Sequence, residues 1–226
     1  MAGADPGAWL RVHDTLLAAF GPQHWWPGET PFEVMVGAVL TQNTAWTNVE
    51  RAIANLKAAD ALACPAILAM PAPDLAQLIR PAGFFNVKTR RLQALCGFLR
   101  EAGVEDAPEQ LARIAPLPHL RHKLLAVHGV GEETADSILL YALDLPSFVV
   151  DAYTRRIFAR LGLLTGHETY AEIQARFQRH LPAKGALYNE YHALIVRLGK
   201  DYCRPRPRCG GCPLVGFCRF AANTRT

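Results

Sequence analysis

Apolar side chains recur at helical spacing along almost the whole chain, and glycine and proline, not strand-like alternation, interrupt them. The first stretch, 9–20, stops at Gly21-Pro22. Thr30-Pro31-Phe32-Glu33 then reads as a capping box with proline at the first helical position. The helix it opens, 32–40, is apolar on nearly every face and is predicted to be buried. The same spacing predicts helices at 46–59, 66–70, 73–80, 87–102, 108–114, 120–127, 132–143, 153–163, 170–180 and 187–202. Phe148-Val149-Val150 is β-like but too short to build a sheet. The pattern predicts an all-α protein of many short helices and tight turns.

Composition narrows the class. At 226 residues, 50% of them hydrophobic, the chain can bury one large core or two small ones and is not a disordered segment. No basic-then-apolar leader and no apolar run of membrane-spanning length is present, so a soluble, cytoplasmic protein with no membrane partner is expected. The net charge of +4 conceals an asymmetry. Residues 1–150 hold 11 Lys and Arg against 15 Asp and Glu, whereas 151–226 hold 13 against 5. Only Lys184 and Lys200 among those 13 are lysines, so the C-terminal third is arginine-basic, as a surface facing phosphates would be.

Four cysteines crowd the end of the chain: Cys203, Cys209, Cys212 and Cys218, spaced C-x5-C-x2-C-x5-C. Structural zinc sites usually pair two CxxC knuckles, and only one is present here. Iron–sulfur clusters also take four cysteine thiolates, often from one compact run. Spacing alone favours a cluster over zinc, and both over disulfides. The first arm reads Arg204-Pro205-Arg206-Pro207-Arg208, in which two prolines stiffen a loop carrying three arginines. That rigid basic platform suits a polyanion, although a solvated charge run is the commoner fate of such a segment. Cys64 and Cys96 lie in apolar helical contexts and read as plain buried thiols.

In the middle of the chain, Leu124-Leu125-Ala126-Val127-His128-Gly129-Val130-Gly131-Glu132-Glu133-Thr134-Ala135 places two glycines between two helices. They permit a tight hairpin whose second helix presents backbone N–H groups to an anion, a phosphate grip without sequence preference. Val150-Asp151-Ala152-Tyr153-Thr154-Arg155-Arg156 follows. Together with the Gln42-Asn43-Thr44 turn and the terminal cysteines, in this order and at these intervals, these segments resemble the helix-hairpin-helix DNA glycosylases, specifically the endonuclease III type with a C-terminal [4Fe-4S] cluster. The resemblance spans nearly the whole chain. It implies a six-helix barrel over 29–134, a cluster domain from 1–28 and 135–226 with its cysteine loop at 203–218, and DNA binding between the two. The partner implied is double-stranded DNA carrying a damaged base, bound by a monomer at the nucleoid. The first cysteine arm is one residue shorter than the family commonly has, which bears on loop geometry.

The resemblance also distributes roles. Asp151 matches the essential aspartate, which stabilises the positive charge that develops on the sugar when the N-glycosidic bond breaks. As an ordinary residue it would cap the following helix, and both roles are compatible. Glu133 stands where bifunctional members carry the lysine that attacks C1′, and a glutamate cannot form an imine. The chain is therefore expected to hydrolyse the bond without strand cleavage. Gln42 matches the side chain that fills the gap left by a flipped base, with Asn43 beside it. Gly83-Phe84-Phe85-Asn86-Val87-Lys88 matches a second DNA-probing loop in which Phe84 or Phe85 could wedge the opposite strand. His128, Gly129, Val130 and Gly131 would face phosphate from the hairpin, and Arg155, Arg204, Arg206 and Arg208 would add basic contacts. Trp25, Trp26 and Trp46 are candidates for stacking on a base, weighed against plain core packing.

Three substrate branches compete. The adenine-mismatch branch carries a catalytic glutamate where this chain has Ala38, and a further lesion-reading domain. The oxidised-pyrimidine branch normally has the lysine that is missing. The 3-methyladenine branch best matches Glu133-Thr134-Ala135-Asp136-Ser137 and the Val-Val-Asp that follows, and a cationic alkylated purine leaves without strong acid assistance. A bifunctional oxidised-pyrimidine glycosylase and AP lyase using another lysine, of which Lys123 is nearest in sequence, is the alternative within the family, and a non-catalytic damage-binding iron–sulfur protein and a zinc module are those from other classes.

Overall fold

The computed structural model describes residues 7–26 and 28–223. Residues 1–6, 27 and 224–226, expected above to belong to the cluster domain, lie outside them. The described chain is all helical: α1 (Ala8–Phe20), α2 (Pro31–Leu40), α3 (Trp46–Ala58), α4 (Cys64–Ala69), α5 (Ala72–Leu78), α6 (Phe85–Glu101), α7 (Leu111–Ile114), α8 (Leu117–Leu125) and α9 (Glu132–Ser137), then α10 (Ala152–Leu161), α11 (Tyr170–His180), α12 (Gly185–Asp201) and α13 (Arg219–Asn223). Short 3-10 turns occupy Arg80–Ala82, Pro108–Gln110 and Val215–Phe217. The predicted helix 132–143 divides, with α9 relaxing into a π turn over Ile138–Ala142.

Backbone contacts separate two compact units, Trp26–Leu145 and a second made from the chain up to Trp25 with Pro146 onward. The boundary thus falls eleven residues later than the expected 134/135. The reason is packing: Ala135, Ile138 and Leu139 are fully buried in the same core as Met35, Val36 and Leu40. That core is built around α2. Every residue from Phe32 to Leu40 is buried, as apolar side chains on all faces require. Its N-terminus is half a capping box. Thr30 accepts the Glu33 N–H, but the Glu33 carboxylate turns away to Lys57 at 3.0 Å. A complete capping box forms instead at Thr169 and Glu172, at the start of α11.

The second unit has an aromatic core. Phe148 stacks on Phe177 with ring centroids 3.9 Å apart, and Trp9 stacks on Phe158 and meets Phe177 edge-on. The Tyr191 hydroxyl donates to the Trp9 carbonyl at 2.6 Å and ties α12 to α1. Phe148-Val149-Val150 is an extended, wholly buried segment paired by side chains and not by a strand: Gln174 donates to the Phe148 carbonyl, and the Val150 N–H donates to the Tyr170 hydroxyl. This apolar anchor fixes the residue after it, Asp151.

Helix α10 lies against α12 where Tyr153 rests on Gly199, and a Cβ at Gly199 would overlap the Tyr153 ring. Gly199→Ala is expected to destabilise the protein by about 1–3 kcal/mol, because a close-packed ring must be displaced. Chemical denaturation would show this as a lower midpoint at unchanged slope.

Candidate active site and DNA-facing elements

Asp151 is the N-cap of α10. Its Oδ1 accepts from the Thr154 N–H at 2.7 Å and from the Thr154 hydroxyl at 2.8 Å. Its Oδ2 faces His192 Nε2 on α12 at 3.6 Å, and the two side chains are 12% and 7% exposed. Burial pushes the Asp151 carboxyl up, but His192 and the two Thr154 donors outweigh it and hold the group below the usual carboxylate range. The result is an anion that stays charged while one oxygen is fully occupied by its own helix. Capping and charge stabilisation are both served by this placement. His192 has no spacing signature, because its partner lies on another helix, and sequence reading passes over it.

The hairpin joins α8 to α9. Gly129 takes φ +81°, and Val130 N–H closes the turn on the Val127 carbonyl at 3.0 Å. Val130 was expected to face DNA, but its side chain is 5% exposed and belongs to the core. His128, Gly131, Glu132 and Glu133 are exposed. The two helices are locked by Arg121, whose guanidinium donates to both oxygens of the fully buried Asp136 at 2.8 and 2.9 Å.

Gln42 in the turn after α2 is tied to this hairpin. Its amide nitrogen donates to the Gly129 carbonyl at 3.1 Å and to the Thr134 hydroxyl at 2.8 Å, and its oxygen accepts from Arg91 on α6. A Cβ at Gly129 would overlap the Arg91 side chain, so the glycine is needed for space as well as for its positive φ. Asn43 is exposed and left-handed at φ +54°. In the 83–88 loop the two phenylalanines part. Phe84 is left-handed at φ +46° and 68% exposed, while Phe85 packs toward the core.

Lys88, expected to reach DNA, is 1% exposed. Its ammonium donates to the Leu40 and Ala82 carbonyls, each at 2.8 Å, because an amine carried inward by α6 must find buried acceptors. Burial first, and then Arg91, pull it down to about 8. Trp26 meets Trp46 edge-on at 5.0 Å and Tyr141 at 4.9 Å, all partly buried. Trp25 lies in the other unit, beneath the Lys200 ammonium.

All six cysteines are free thiols. Cys64 and Cys96 are buried, as predicted, whereas Cys203, Cys209, Cys212 and Cys218 line one small cavity of about 30 Å³. Arg160 and Arg208 share its wall. The Arg160 guanidinium lies 3.3 Å from Cys203 Sγ, donates to the Arg204 and Pro205 carbonyls and stacks over Phe220. Burial raises the Cys212 thiol. Among the described residues, no group of three or more His, Cys, Asp or Glu side chains is arranged to hold a metal ion. Arg204, Arg206 and Arg208 are exposed, while Arg155 is half-buried and donates to the Glu168 carbonyl. No helix among the described residues is long and apolar enough to cross a membrane.

Asp151, His192 and the cysteine cavity thus belong to one unit, and the hairpin, Gln42, Phe84 and the Trp26–Trp46 pair to the other. Residues 36–183 match the family described as HhH-GPD superfamily base excision DNA repair protein. The chain is 49% identical to a candidate DNA repair glycosylase of Methanocaldococcus jannaschii, over 92% of this chain and 94% of that one. Among solved structures it superposes on a non-covalent endonuclease III–DNA complex with a TM-score of 0.83, at 23% identity, covering 98% and 99% of the two chains. It also superposes on the Helicobacter pylori 3-methyladenine DNA glycosylase bound to 1,N6-ethenoadenine, with a TM-score of 0.74, at 30% identity, covering 87% and 98%. The hairpin, the capping aspartate and the extent of these matches together make the chain a member of the HhH-GPD superfamily of base excision DNA repair proteins, a helix-hairpin-helix DNA glycosylase of the endonuclease III type.

Proposed function

We propose that the protein is a monofunctional DNA glycosylase that excises alkylated purines from double-stranded DNA and acts as a monomer. The carrying observation is that the chain has both a buried, ionised Asp151 and, separately, a glutamate at position 133 in the first turn of α9. In this reading the flipped nucleotide's glycosidic bond breaks and the base leaves with the bonding electrons. Asp151 offsets the positive charge left on the sugar, water adds at C1′, and the water's proton passes to the carboxylate or to solvent. An N-alkylated purine is already cationic and departs neutral, so the site needs no general acid. The electron-rich Trp26, Trp46 and Tyr141 group suits a cationic ring, and the Helicobacter pylori relative is a 3-methyladenine DNA glycosylase bound to 1,N6-ethenoadenine.

Neither Lys88 nor Lys57 supports a lyase that uses another lysine. The depressed amine of Lys88 would suit imine chemistry, but it is enclosed between two carbonyls. Lys57 is paired with Glu29 and Glu33. An assay on duplexes carrying an alkylated purine, an oxidised pyrimidine or uracil should give strand breaks only after alkali, on the alkylated duplex, with no borohydride-trapped adduct. Asp151→Asn should lower excision by about 10²–10⁴-fold while leaving DNA binding intact. A trapped adduct would restore the lyase reading, and no excision on any duplex would favour a non-catalytic damage binder.

The linkage of His192 to Asp151 has a pH consequence. A carboxyl held below its ordinary pKa keeps its charge, and the stability that charge confers, into acid, losing both only as pH falls through the lowered value. His192→Gln removes the largest influence that lowers the carboxyl, so the acid limb of single-turnover excision should move to higher pH. An unmoved limb would remove His192 from the site's electrostatics.

Cys203, Cys209, Cys212 and Cys218 are the residues that would hold a [4Fe-4S] cluster, with Arg160 and Arg208 offsetting the thiolate charge. When bound, the cluster would cross-link the loop 203–218. Protein purified without oxygen should be brown, absorb broadly in the visible blue and contain about four irons per chain. Stoichiometric zinc in a colourless protein would overturn the assignment.

A further inference from the structure

We propose that Lys88 is a positioning residue: one buried ammonium pins together the two turns that probe DNA, one carrying Gln42 and Asn43 and the other carrying Phe84. The inference rests on the reading of these turns as DNA-facing. Its geometry lies wholly within the unit Trp26–Leu145. Lys88 Nζ donates to the Leu40 carbonyl, two residues before Gln42, and to the Ala82 carbonyl, two residues before Phe84. Both carbonyls end helical segments, α2 and the 3-10 turn Arg80–Ala82, where backbone acceptors are left without helical partners and the dipole favours a cation.

Beyond each pinned carbonyl the chain enters a strained conformation. Asn43 sits at φ +54° and Phe84 at φ +46°, and Phe84 holds an aromatic ring 68% exposed. Such conformations persist only when the surroundings over-determine them, and Lys88 supplies a rigid floor common to both. The Phe84 carbonyl in turn accepts from the Lys88 and Val87 N–H groups, which start α6, so the pin and the exposed ring belong to one turn of chain. The charged neighbour is Arg91, which holds the Gln42 amide oxygen and so braces the first turn from the other side. A methionine at 88 would match the length of the lysine stem but leave two buried carbonyls unsatisfied and uncouple the turns.

The test is a duplex with a stable abasic analogue opposite 2-aminopurine, whose fluorescence rises when a side chain unstacks it. It needs no excision chemistry. Wild-type protein should raise the signal. Folded Lys88→Met should need about tenfold more protein to do so, with non-specific duplex affinity and its salt dependence unchanged. If Lys88→Met does not fold, Lys88→Gln, which keeps N–H donors on a shorter stem, is measured the same way and should also be weaker than wild type. A folded variant that matches wild type sinks the inference alone. A wild type that leaves the probe dark sinks the DNA-probing reading, and the inference with it.

Discussion

Every helix end leaves backbone groups that water or a side chain must satisfy, and in this protein the side chains proposed to function are among those partners. Asp151 satisfies the first turn of α10, Lys88 the last carbonyls of α2 and of a 3-10 turn, and Gln42 the Gly129 carbonyl of the hairpin. Arg156 and Arg160 satisfy the carbonyls of Cys203, Arg204 and Pro205 beside the cysteine cavity. An architecture of short helices makes many such ends, and thereby many places where a polar side chain can be held rigidly at a surface. Catalytic and binding groups need that rigidity, because a loosely held carboxylate would reorganise at the moment charge develops.

The same ends set the electrostatics. Asp151 and Lys88 are both buried, yet their titrations move by different balances. At Asp151 the desolvation cost is outweighed, because hydrogen-bond donors and His192 gather around the charged form. At Lys88 neutral carbonyls meet the amine and Arg91 repels it, so desolvation prevails. The carboxylate therefore remains ready to oppose a cation, while the lysine serves to hold backbone in place.

The fold was legible because its signals are local. The all-apolar α2, the Gly-x-Gly hairpin and the terminal cysteine spacing are each written within sixteen residues. Asp151 was legible for the same reason, since capping is a local interaction. What escaped depends on pairs distant in the chain: His192 against Asp151, Arg91 against Gln42, Arg121 against Asp136. Position within a promising loop also misled where burial decides. Lys88 and Val130 sit in segments that read as DNA-facing, yet α6 and the hairpin turn carry both inward. The domain edge slipped because Ala135 to Leu139 continue the α2 core past the hairpin.

The glutamate at 133 fits the same logic. Glu132 and Glu133 occupy the first turn of α9, where unpaired N–H groups and the dipole favour an acid over a base by about 0.3–1 kcal/mol. A lysine there works against the local field, and its charge is tolerable only if the amine serves the reaction. In a reaction in which water attacks the sugar, no amine is needed, and the position can follow helix energetics. Asp151 answers to both demands at once: the geometry that caps α10 also keeps the carboxylate charged and aimed. On the proposed hydrolytic reading, the two positions separate what the chemistry would require from what folding alone prefers.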